Sequence, residues 1–170
     1  MPGVRRFFIA SNNNVMIEPY LKLIVAPMHQ PNGFIIRLLE GRKPMGAGFM
    51  SYQKAKVPID FFDKELLEKD QVAEEWFRKV PYAEIENIYR QLEGARIAVL
   101  PLEELVAQGI KYSLTIGNGT NALIYKWRSK LPKEWEPIGG VINILLRMAD
   151  EQEIIIGDAT PNRSLEMTAR

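Results

Sequence analysis

The chain has 170 residues, 46% hydrophobic and 25% charged, with a formal net charge of +1, which suits one globular domain able to bury its own core. It contains no cysteine, so disulfides, thiolate zinc sites, iron–sulfur clusters and cysteine nucleophiles are excluded together, and the composition fits a reducing, cytoplasmic compartment. Only four apolar residues, Phe7 to Ala10, follow the basic pair near the start, and the longest uncharged apolar run is Leu23 to Met28; neither makes an export signal or a membrane span.

Residues 15–25, VMIEPYLKLIV, read as a first strand, with Pro19 marking an edge strand or a bulge. A Pro- and Asn-Gly-containing loop follows. FIIRLL at 34–39 is the return strand, and the alternation in FMSYQKAKV at 49–57 predicts a third. These make an antiparallel meander. From Pro58 to Val80 the composition is helical, with Asp60 as cap and Asp63 in the first turn. The apolar spacing predicts one helix with a weak middle, or two in series.

Pro81 opens a further helix, in which Tyr82, Ile85, Ile88, Tyr89 and Leu92 share one face. Residues 95–100 read as a short strand or extended connector, and 101–109 as one or two helical turns. Pro137 opens the clearest helix, with a stripe of Ile138, Val141, Ile142, Leu145 and Met148. Gly139 and Gly140 in its first turn suggest close approach to a neighbouring sheet. Ile154–Ile156 suggests a short strand.

The predicted fold is α+β: an antiparallel sheet from the N-terminal meander and a C-terminal hairpin, with helices from 60–80, 81–93 and 137–149 on one face. Residues 1–150 form one domain, and 151–170 a largely polar extension.

The hairpin lies in YSLTIGNGTNALIYKW, residues 112–127. Gly117, Gly119 and Ala122 also match the G-x-G-x-x-A pattern of a dinucleotide turn. That pattern needs a helix at the second glycine, yet the sequence there is β-rich and Pro132 soon halts it. Asn118-Gly119 is instead a favoured two-residue hairpin turn. Such a turn would pair Ile116 with Asn121, Leu114 with Leu123, Tyr112 with Tyr125 and Ile110 with Trp127, all on one face.

Chemistry is sparsely supplied. His29 is the sole histidine. It sits between prolines in a loop, with no local carboxylate to orient it. No cofactor is indicated, and one histidine without cysteine makes no zinc or iron site. The serines lack a nucleophile-elbow context and there is no phosphate-binding loop. Trp76, Phe77, Trp127 and Trp135 fit packing better than a ligand cage.

Charge is unevenly placed. Residues 1–56 carry eight Lys/Arg against two Asp/Glu, and residues 57–109 six against twelve. Complementary layers of one domain explain this more simply than a nucleic-acid surface. The nucleic-acid alternative would use Arg37, Arg42, Lys43, Lys54 and Lys56 interleaved with Phe34, Phe49 and Tyr52.

Residues 112–146 resemble the end of a loosely defined group of bacterial proteins without an agreed activity. The resemblance runs through Tyr112-Ser-Leu114-Thr-Ile116, Gly119, Asn121, Tyr125-Lys-Trp127 and Pro132-Lys-Glu-Trp135-Glu-Pro137. It implies a hairpin followed by a packed helix, and no functional residue.

The expectation is a non-enzymatic protein-binding module of immunity, inhibitor or regulatory type. Its partner is another protein, with self-association as a further option and no membrane. The candidate contact residues are Trp127, Arg128, Lys130, Lys133, Trp135, Arg42 and Lys43. The alternative is a hydrolase-like enzyme using carboxylates and His29, and nucleic-acid binding is the minor one.

Overall fold

The computed structural model describes residues 19–28, 30–39, 47–59, 67–93, 95, 109–117 and 121–151. Its strands are β1 (Pro19–Pro27), β2 (Phe34–Leu39), β3 (Ala47–Ala55), β4 (Val72–Pro81), β5 (Ile110–Ile116) and β6 (Leu123–Arg128). The helices are α1 (Tyr82–Leu92) and α2 (Glu136–Met148). The strands form one sheet in the order β4-β3-β2-β1-β5-β6, with every neighbouring pair antiparallel. The fold is α+β, as the sequence patterns predict.

Alternation along each strand sorts the side chains onto two faces. Leu21, Leu23 and Val25 of β1, Phe34, Ile36 and Leu38 of β2, Met50 and Tyr52 of β3, and Tyr112 and Leu114 of β5 join the main core. There they meet Ile85 and Ile88 of α1 and the apolar side of α2. Each such aliphatic side chain taken from water contributes about 1.5–3 kcal/mol. On the reverse face, Ile24, Ala26, Ile35 and Ala55 pack with Ile59 and Leu67 in a smaller cluster.

The strand β1 is central, not an edge. Pro19 avoids the cost of a missing N–H by standing at the strand's first residue, beside a register shift between Pro19 and Leu21. Tyr20 occupies the extra position and packs on the core, its ring 4.8 Å from that of Tyr89 in α1.

Two expectations are corrected. Residues 72–81 are strand β4, not the second half of a helix; the part predicted over 60–66 lies outside the described residues, and Lys69–Gln71 is a single 3-10 turn. Val72, Trp76, Phe77 and Val80 satisfy a helical period, but the strand gives both rings a partner. Trp76 stacks on its cross-strand neighbour Tyr52 at 5.0 Å, on the helix-bearing face. Phe77 stacks on Phe49 at 5.3 Å, on the reverse face. Aromatic pairs of this kind are worth about 0.5–1.5 kcal/mol beyond burial, and an isolated helix offers Trp76 neither partner.

The second correction concerns the β5–β6 hairpin. Ile116 faces Leu123, Leu114 faces Tyr125 and Tyr112 faces Trp127, two residues out of step with a turn at Asn118-Gly119. The connection is therefore longer than two residues. Asn118 and Gly119 themselves lie outside the described residues. Because the displacement is even, each side chain stays on its predicted face. Among the described residues no α-helix starts after the glycines: Asn121 ends a 3-10 turn and β6 begins at Leu123. Gly117 has φ +97°, and a Cβ there would collide with the carbonyl oxygen of Asn121, so it serves a tight bend.

The first turn of α2 approaches α1 instead of a sheet: a Cβ on Gly140 would run into the side chain of Gln91. At its other end α2 closes in a Schellman arrangement. Glu151 N–H donates to the Leu146 carbonyl at 2.9 Å and Asp150 N–H to that of Arg147 at 3.1 Å, with Asp150 at φ +55°. That turn carries Glu151 back to β3. The predicted turns over 101–108 and the strand at Ile154–Ile156 lie outside the described residues.

Candidate functional site

The segment from β6 into α2 divides the candidate contact residues by chemistry. Trp127 and Trp135 are core residues, only 7% and 5% exposed. Trp127 lies flat on its cross-strand partner Tyr112, rings 5.1 Å apart and 6° from parallel. Trp135 meets Trp127 and Tyr125 edge-on at 6.3 and 5.2 Å. This four-ring cluster fastens the last strand to the body of the protein. Arg128 lies on the opposite face of β6 from Trp127, and Arg128, Lys130 and Lys133 are exposed, while Leu131 between them is fully buried. The loop is held at its base by Ser129 N–H donating to the Ile110 carbonyl at 2.8 Å. Arg42, Lys43 and His29 lie outside the described residues.

The sheet brings up two further residues that composition did not single out. Leu123 and Ile124 open β6 and are 61% and 60% exposed, the most exposed large hydrophobic side chains among the described residues. They point to opposite faces, Leu123 beside Ile116 and Ile124 beside Thr115. The only sequence signal for them is the unbroken apolar run Ala122 to Tyr125, which breaks the polar–apolar alternation of a half-buried strand.

The two margins of the sheet differ. The margin at β4 shows Glu74, Glu75, Arg78 and Lys79, all exposed, and a register shift near Ala55. Mixed charge and a bulge are the usual protection of an edge strand. The margin at β6 shows Leu123 and Ile124, and its charged residues, Lys126 and Arg128, are cations only.

The carboxylates that make side-chain hydrogen bonds do not converge. Glu75 accepts from Gln53 at 2.8 Å on the reverse face, where Gln53 also accepts from buried Arg37 at 3.2 Å. On the helix-bearing face Tyr52 donates to Glu151, which lies 3.5 Å from the Lys54 ammonium. Burial, then the hydrogen bond to Glu151 and the charges of Glu151 and Glu74, push the Tyr52 phenol well above its ordinary range, and burial also raises Tyr112. Among the described residues, no three His, Asp or Glu stand close enough together to hold a metal ion.

The N-terminal basic and aromatic set is divided by the strand register. Arg37 and Phe49 lie on the reverse face, whereas Phe34, Tyr52 and Lys54 lie on the helix-bearing face, with both rings buried. They do not form one platform for bases. No helix among the described residues is long and apolar enough to cross a membrane.

No protein-family model matches the chain, and no curated protein or solved structure is significantly similar to it.

Proposed function

We propose that the protein is a non-enzymatic binding module that engages a partner protein along β6, in the cytoplasm that its cysteine-free composition suits. The observation that supports this reading is the exposure of Leu123 and Ile124 at the start of a strand which, among the described residues, has a neighbour on one side only. An edge strand leaves backbone donors and acceptors unpaired along its outer side, and apolar side chains there add affinity when a partner covers them. Of the candidate contact residues, Arg128 closes this strand, and Lys130 and Lys133 follow it in the chain. Trp127 and Trp135 act from below, holding its geometry.

The test is affinity capture from the native host with the intact chain and with a Leu123→Lys/Ile124→Lys variant, whose folding is checked by circular dichroism. The reading expects captured proteins that the folded variant loses. Capture that is unchanged in the variant would refute β6 as the contact.

A further inference from the structure

The Asn-Gly pair in the loop between β1 and β2 carries chemistry of its own. We propose that Asn32 is a latent deamidation site, held closed by the fold and released when the end of β3 parts from the start of β2.

Asn32 is followed by Gly33, which has no side chain to crowd the reacting backbone nitrogen. In the reaction, the Gly33 nitrogen gives up its proton to solvent base and bonds to the side-chain carbonyl carbon of Asn32. The side-chain amide takes up a proton and leaves as ammonia. Water then opens the five-membered imide at either carbonyl, leaving aspartate or isoaspartate at position 32. In isoaspartate the main chain runs through the side-chain carbons and is longer by a methylene. Asn32 is exposed, so base and water reach its side chain.

Backbone conformation holds the reaction back in the folded protein. Phe34 pairs with Lys54, and the ladder continues one step to Ala55. There Asn32 N–H donates to the Ala55 carbonyl at 3.2 Å, and Ala55 N–H donates to the Gly33 carbonyl at 2.8 Å. Two residues thus oppose one, and the first, Asn32, is left-handed at φ +75°. This is a G1 bulge. A left-handed residue has ψ of about +47°, which sets the following nitrogen nearly opposite Cβ across the Cα–C bond. Imide closure needs that nitrogen on the same side as Cβ. The peptide between Asn32 and Gly33 must therefore turn through roughly half a revolution before the ring can form. Both flanks of that peptide are tied to Ala55, and Gly33 is buried, with the Val25 carbonyl oxygen and Ile59 filling the space beside its Cα. The hydrogen bonds and the packing together oppose the turn.

Once it has occurred, the reaction makes the opening permanent. The lengthened isoaspartate backbone no longer sets two residues against Ala55, so the bulge cannot reform. Aspartate keeps the original backbone and leaves the register intact.

The experiment incubates the intact chain in mildly alkaline buffer, and again in urea that unfolds it. A synthetic peptide spanning residues 30–35 in both buffers corrects for the effect of urea on the chemistry. Products are measured by mass spectrometry on the tryptic peptide Leu23–Arg37, which separates Asn32 from the other Asn-Gly pair at Asn118. Deamidation at Asn32 is expected to be at least about tenfold slower in the folded chain, because only opened molecules react. A smaller difference would overturn the lock. The unfolded, partly deamidated chain is then refolded, and the native fraction is isolated by size exclusion. That fraction should keep the aspartate product and be depleted in isoaspartate, two products of equal mass that chromatography resolves. Isoaspartate present in the native fraction in its original proportion would overturn the bulge as the element that reaction destroys.

Discussion

Tyr52 and Glu151, ninety-nine positions apart in the chain, are joined by a hydrogen bond from the phenol to the carboxylate. The bond ties the cap of α2 to the middle of β3. With the Lys54 ion pair beside it, it is a polar link between the last helix and the β4 side of the sheet.

This link has a signature in alkaline solution. The phenols of Tyr52 and Tyr112 are raised in the folded protein, whereas in the unfolded chain they ionise near the ordinary value of about 10. The folded state therefore holds more protons than the unfolded state once the pH passes that value. The contribution of these two groups is full below it and declines as pH rises towards the folded pKa. Ultraviolet titration of phenolate should show late-ionising tyrosines among the six, released only as the protein unfolds. Tyr52→Phe should remove one of them and cost about 1.5–3 kcal/mol, the scale of a hydrogen bond to a charged group, in urea unfolding at neutral pH.

Asp150 offers a gain. It holds a left-handed conformation at φ +55° in the α2 cap, which costs an L-residue about 1–2 kcal/mol that glycine does not incur. Asp150→Gly should raise the unfolding free energy by up to about 1 kcal/mol, after the greater freedom of glycine in the unfolded chain is subtracted, and so raise the urea midpoint.

Gly33 should tolerate nothing larger. A Cβ there would stand 2.8 Å from both the Val25 carbonyl oxygen and Ile59 Cδ1. The carbonyl belongs to the β1–β2 ladder and cannot yield as a flexible side chain would. Gly33→Ala should destabilise by about 1–3 kcal/mol, the usual range for overpacking, measured by chemical denaturation.

The three tryptophans should separate by quenching. Trp127 and Trp135 are buried, while Trp76 on β4 is only partly so, with the Arg78 guanidinium 5.1 Å from its ring centre. Acrylamide should quench Trp76 first, and Trp76→Phe should remove most of the accessible fraction.

Stability and binding should part company on the sheet. Ile88→Ala, in the core, should cost about 2–5 kcal/mol. Leu123→Ala and Ile124→Ala, both more than half exposed, should each change unfolding by no more than about 0.5 kcal/mol. Their effect belongs to partner affinity.

What the sequence disclosed follows from which patterns carry a unique period. The helices α1 and α2 have apolar stripes that only a 3.6-residue repeat explains, and β2 is a short apolar run between turns. The strand β4 was hidden because Trp76, Phe77 and Val80 fit both periods, and its deciding partners, Tyr52 and Phe49, lie more than twenty positions away. In the hairpin, the two faces of β5 and β6 were legible but their pairing was not, because a shift of two leaves every face unchanged. The exposure of Leu123 and Ile124 was illegible for a further reason. Alternation reports which side of a strand is covered and does not say which strand comes last in a sheet.

The central place of β1 has a consequence for synthesis of the protein on the ribosome. One of its neighbours, β2, follows almost at once, but the other, β5, begins only at residue 110. At about 5–20 residues per second, the roughly 80 intervening residues leave the nascent meander waiting about 4–16 seconds with one side of Leu23, Ile24 and Val25 unmatched. The protein is thus most vulnerable to aggregation midway through translation, and truncation before β5 should yield an insoluble product even though all of β1 to β4 is present.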